Sequence, residues 1–179
     1  MRSGRITQLV AAVGFATLLA LSCTSERSTP PSFKYDGSRA CAGVLAYAWS
    51  SSGTEQLVVE FNRRRLGLAV GSSRQVNLAE GDVVVRVEMF DRKPGGTHCT
   101  DVFFGTPVKP RIWRATSGTV SIALSTLAPG EDRPVEGSYH VAVTLDHVTF
   151  RGPGGEQVTA RGPLILSGQG GWLPGGTAE

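Results

Sequence analysis

The sequence predicts an all-β domain, an antiparallel β-sandwich or partly open barrel of about 8–10 short strands. Two observations carry that expectation. Apolar residues recur at every second position in segment after segment, as they do where successive side chains leave opposite faces of a pleat. Turns bearing glycine or proline separate nearly all of these segments, with no stretch of helical period between them.

Four segments show the alternation most plainly. In QLVVEFN, Leu57, Val59 and Phe61 share one face, while Val58, Glu60 and Asn62 share the other. DVVVRVEMF directs Val83, Val85, Val87 and Met89 inward and Arg86 and Glu88 outward. TVSIALS sets Val120, Ile122 and Leu124 against Ser121, Ala123 and Ser125. SYHVAVTLD sets Tyr139, Val141, Val143 and Leu145 against His140, Ala142, Thr144 and Asp146. Weaker strand candidates are GVLAYAW, RLGLAV, RQVNLA, HCTDVFF, IWRAT, HVTF and the halves of QVTARGPLILS. The alanines of ACAGVLAYAW also suit a helix, but Cys41, Tyr47 and Trp49 share the parity of one strand face. SSSG, EG, RKPGG, TSG, APGE and RGPGG supply the turns. PGG recurs at Pro94, Pro153 and Pro174 in flanks that do not align, so independent type II turns explain it without a duplication.

Ahead of this domain, Arg2 and Arg5 precede a run of apolar and small residues that ends LVAAVGFATLLALSC at Cys23. That is the order of a secretory signal, and the run is shorter than the roughly 20 apolar residues a spanning helix needs. Small residues just before a cysteine resemble the lipobox of bacterial lipoprotein precursors. The resemblance covers residues 1–23 and implies a diacylglyceryl group on the Cys23 thiol, which becomes the mature N-terminus. The lipobox leucine normally stands three places before the cysteine, where this chain has Ala20, with Leu19 one step earlier. Ala20 and Ser22 also suit ordinary signal peptidase, which would release a freely soluble secreted protein.

After export only Cys23, Cys41 and Cys99 remain, and an odd thiol is a liability in an oxidising compartment. Lipidation of Cys23 leaves Cys41 and Cys99 to form a disulfide that stabilises the domain by roughly 4 kcal/mol in the chain-entropy model. The alternative is two buried free thiols. The expected organisation is a signal peptide (1–22), a lipidated cysteine with a flexible tether (23–33), the β-sandwich domain (34–168) and a loosely ordered tail (169–179).

The formal charge of +3 becomes +1 once Arg2 and Arg5 are removed, because every acidic residue lies after Cys23. Nucleic acid is therefore not an expected partner. The run Arg63, Arg64 and Arg65 lacks interleaved aromatics and reads as a solvated strand end.

No HExxH, H-x-H, CxxC or G-x-S-x-G pattern occurs, so no catalytic residue, cofactor or metal is expected. A copper–zinc superoxide dismutase would need clustered histidines that this chain lacks. Asp91 and Asp101 flank the loop RKPGGTHCT, but their spacing fits no EF-hand. A site assembled from distant residues would have to draw on His98, Asp101, His140, Asp146 and His147. Read singly, the three histidines are surface residues whose replacement costs at most about 0.5 kcal/mol each. The runs SGTVSIALS, GSYHVAVTL and HVTF resemble the C-terminal hairpins of secreted bacterial β-domains, which implies a sandwich and no activity. The expected function is a membrane-anchored module of the cell envelope, held by lipid at Cys23 and facing the periplasm or cell surface, that binds an envelope protein or a ligand. The alternative is a secreted enzyme or metal-binding protein built from the scattered His and Asp residues.

Overall fold

The computed structural model describes residues 29–41, 45–96, 98–99, 106–127 and 138–171. Cys23, Asp101 and the tail from 172 onward lie outside the described residues. Within them the chain forms nine strands: β1 (Gly37–Cys41), β2 (Leu45–Trp49), β3 (Glu55–Phe61), β4 (Ser73–Asn77), β5 (Val83–Met89), β6 (Arg111–Ser125), β7 (Tyr139–Arg151), β8 (Gln157–Thr159) and β9 (Leu164–Gly170). A short 3₁₀ turn, Leu78–Glu80, separates β4 from β5. The fold is all-β, and every pairing is antiparallel. The sheet runs β1-β2-β3-β5-β6-β7-β8, with β4 added beside β6 and β9 beside β7, and it is not closed into a barrel.

Two long strands turn this sheet into two layers. β6 pairs with β5 through residues 111–114 and with β4 through residues 119–123. β7 pairs with β8 through residues 149–151 and with β9 through residues 139–145. Each therefore belongs to one layer at one end and to the other layer at the far end. The crossing is written in the alternation. In β7 the buried residues are Tyr139, Val141, Val143 and Leu145, then Val148 and Phe150, out of phase by one. In β6, Trp113 is buried, then Val120, Ile122 and Leu124, again out of phase. A one-residue slip sends every later side chain to the opposite face unless a bulge absorbs it. The β6–β7 register is irregular between Ala115 and Thr119, with Gly118 at φ 120° and His147 at φ 52°. A Cβ on Gly118 would stand 2.8 Å from Val148 Cα, so both backbone conformation and space call for glycine.

The layers enclose one core. Leu57, Val59, Val85 and Val87 from one side and Val120, Ile122, Val141 and Val143 from the other belong to a single buried cluster. At the open edge, β1 and β9 are joined by a side chain: Ser38 Oγ accepts from Ser167 N at 2.9 Å and donates to Ser167 O at 2.8 Å. Gly168 sits so close to β1 that a Cβ there would collide with the Ala40 amide nitrogen.

Several local expectations are corrected. ACAGVLAYAW is neither a helix nor one strand, since Cys41 ends β1 and stands opposite Leu45 of β2. TSG is no chain reversal but the bulge inside β6, which joins IWRAT to TVSIALS, and HVTF continues β7. RLGLAV forms turns instead of a strand, because Leu66 and Leu68 drop into the core while Arg63 Nε donates to the Leu68 carbonyl at 3.2 Å. The chain is docked before residue 34. Pro31 is buried, the amides of Ser32 and Phe33 donate to the Glu55 carboxylate at 2.8 and 3.0 Å, and the Phe33 ring lies 5.2 Å from that of Phe150.

Candidate functional site

The β1-β2-β3-β5 layer has a second buried face. Side chains that point away from the main core include the in-register row Arg39, Tyr47, Val58, Arg86 and Arg114. Alternation assigns Val58 to an outward face, yet it is 0% exposed, and Tyr47 is 1% exposed. The segment after β5 covers them. It is tied down by a disulfide between Cys41 and Cys99, 58 residues apart, with α-carbons separated by 5.7 Å. The two cysteines pack with Tyr47 and Val58 in a small cluster of their own, against which Leu45 and Trp49 lean.

Beside this cluster lies a chain of charges. Arg86 donates to Glu60 at 2.5 Å and through Nε to Glu88 at 2.7 Å, while His98 Nε2 meets the other Glu88 oxygen at 3.0 Å. Glu88 is only 6% exposed. Burial opposes its ionisation, but hydrogen bonds from His98 and Arg86, with their charges, win and hold its carboxyl below the ordinary range. Burial likewise works against the charge of Arg86, and the two glutamates outweigh it, raising its affinity for the proton. The His98 ring stands edge-on to Tyr47 at 5.7 Å, so the ion pair is also packed. This is a structural lock for the covering segment, since each charged group is satisfied by a neighbour.

Next to the lock, the outer face opens into a cleft of about 210 Å³. Arg39, Tyr47, Trp49 and Gln56 line it from the strands, and Lys93 with the glycine-bearing turn after it lines the other side. Trp49 lies over Gly37 of the neighbouring strand, where a Cβ would meet the indole at 2.5 Å. The aliphatic stem of Lys93 lies on Gly53, whose φ is 68° and whose missing Cβ leaves room for it at 3.0–3.2 Å. Tyr47 Oη is buried with no hydrogen-bond partner among the described residues.

The residues expected to assemble a site are spread out. His147 is 89% exposed in its side chain and pairs with Asp146 at 2.9 Å beside the β7 bulge, and His140 stands opposite Ser125 and Gln169. His98 takes its carboxylate from β5 instead, and it is half-buried, so the surface reading is corrected for that histidine. Asp101 lies outside the described residues, and Asp91 pairs with Arg111 at 3.1 Å. Among the described residues no three His, Cys, Asp or Glu side chains gather as metal ligands would. The arginine run is a turn in which Arg65 meets Asp82 at 3.0 Å and Arg63 lies 5.0 Å above the Tyr139 ring.

Sequence reasoning missed the covered face and its cleft. A signal for both exists in Val58, apolar on the face that alternation gives to Glu60 and Asn62, and in Tyr47 and Trp49, which share one face of their strand. The chain matches no protein-family model, no curated protein and no solved structure.

Proposed function

We propose that this chain is a bacterial envelope lipoprotein, anchored through lipid on Cys23, whose β-domain binds a ligand or another envelope component and performs no chemistry of its own. The observation that carries the anchor is the disposition of the cysteines. Cys41 and Cys99 are spent on the disulfide, which leaves Cys23 as the odd thiol, placed directly after an apolar signal segment. Lipid on that sulfur removes a reactive group and holds the chain at a membrane, with each buried methylene contributing about 0.8 kcal/mol. The observation that favours binding is the outer-face cleft, which is lined by aromatic rings and cations and, among the described residues, by no histidine, carboxylate, serine or cysteine.

Fractionation of cells tests the anchor. Cys23→Ser should move the protein from the membrane to the soluble fraction, while Cys41→Ser should leave it at the membrane. Equal retention of the Cys23 variant would overturn the anchored reading. Capture of membrane components on the intact lipidated chain, compared with a Trp49→Ala chain, tests binding through the cleft.

A further inference from the structure

The cleft on the outer face has a charge and a shape that narrow its ligand, and the inference below rests on reading this face as a binding surface. Its two charged linings, Arg39 and Lys93, are both cationic, and among the described residues no carboxylate lines it. Neither has an acidic partner among the described residues. Two cations facing one small space repel a cationic ligand and attract an anion. The guanidinium group additionally offers the planar fork that fits a carboxylate.

The rest of the lining is flat and apolar. Tyr47 and Trp49 lie 5.5 Å apart, ring to ring, along one strand. Gly37 beneath the indole and Gly53 beneath the Lys93 stem are positions where a side chain would displace the groups that shape the cleft. Gln56, 5% exposed, adds a neutral amide that can donate or accept. A volume of about 210 Å³ is below the range typical of sites for drug-sized ligands, so it suits a single ring with one or two substituents.

We propose that this cleft binds a small ring-bearing carboxylate, the ring stacked on Trp49 and the carboxylate held between Arg39 and Lys93. An aromatic acid and a uronic acid share this chemistry, since a pyranose face also stacks on an indole. No bond is made or broken. Glu88 and His98 stand behind the cleft through Gln56, the strand neighbour of Glu88, and tether the segment that carries Lys93.

The chain has three tryptophans, so selective ¹⁵N labelling of the intact lipidated protein in detergent gives three indole signals, and Trp49→Phe assigns one of them. The probes are benzoate, benzamide, benzylammonium, glucuronate and glucose. Benzoate or glucuronate should shift the Trp49 signal saturably and leave that of Trp113 in place. A response to benzoate alone identifies an aromatic ring, and a response to glucuronate identifies a sugar. Benzamide, benzylammonium and glucose should bind at least about tenfold more weakly, and Arg39→Gln and Lys93→Gln should each weaken the anion about tenfold or more, as loss of a charged hydrogen bond does. Equal response to benzylammonium, unchanged affinity in both charge variants, or a Trp49 signal indifferent to either anion would overturn the proposal. If no anion binds but membrane capture still depends on Trp49, the binding reading survives and only the ligand class fails. If capture is also indifferent to Trp49, both fail.

Discussion

Glu88 faces away from the main core, yet it is almost fully buried, and its charge is kept by Arg86 and His98. Its carboxyl titrates below the ordinary value, so the unfolded chain takes up the proton first as pH falls. The stability it contributes is complete above the unfolded value of about 4.3 and is lost as pH drops through the lower folded value. Denaturant titrations across pH should therefore show Glu88→Gln well below the parent at neutral pH, with the gap closing below about pH 4. A gap that does not change with pH would mean that shape, and not charge, sets the cost. His98→Ala should cost about 1–2 kcal/mol, more than an isolated surface histidine, because it removes one of the two partners of a buried carboxylate. Glu55 acts similarly on the opposite face of the same end of the layer. Glu55→Gln weakens two amide bonds to a charged acceptor and should cost roughly 1–2 kcal/mol, with faster amide exchange at Ser32 and Phe33 as its local signature. Only the Arg86–Glu88 pair is local in sequence; His98 and the Ser32 and Phe33 amides reach their carboxylates from other segments, which residue order does not disclose.

At the scale of elements, β6 and β7 carry the architecture through one shared irregularity. Alternation within each run was readable in advance, and Tyr139, Val141, Val143 and Leu145 are buried as their spacing predicts. The break between IWRAT and TVSIALS reads in the sequence as a chain reversal, since TSG has the composition of a turn. Only the pairing of residues 114–125 with residues 140–151 shows that the strands continue through it. Gly118→Ala should cost roughly 2–3 kcal/mol, from positive φ combined with the contact on Val148, measured by chemical denaturation. The same substitution at Gly67, also at positive φ but with nothing within 4 Å of a Cβ, should cost less. The disulfide belongs to this scale as well. Reducing it, or replacing Cys41 and Cys99 together with serine, should lower stability by about 4 kcal/mol in the chain-entropy model, and reductant should have no further effect on the double variant.

For the molecule as a whole, the entry segment sets how far the domain stands from its proposed anchor. Pro31 is already buried, so seven residues, 24–30, separate the proposed anchor at Cys23 from the docked chain. Fully extended they reach roughly 25 Å. The seam between β1 and β9 decides how tightly the layers close, and Gly168→Ala, which would push Cβ into the β1 backbone, should lower the thermal midpoint without changing the strand content seen by circular dichroism.

By itself the sequence determined what depends on near neighbours. Period-two runs such as Leu57, Val59 and Phe61 require strands, because only a pleat places alternate residues on one face, and the charge and cysteine counts follow from composition alone. It also limited the disulfide to Cys41 and Cys99 once Cys23 was set aside. The tertiary structure alone decided which outward faces are wet. Val58 and Glu88 look solvent-facing by parity and are buried, because a distant segment is carried over them by Cys99. It alone placed Arg39, Trp49 and Lys93 around one cleft, since a site drawn from two strands and a loop depends on register and loop path, which local periodicity does not encode.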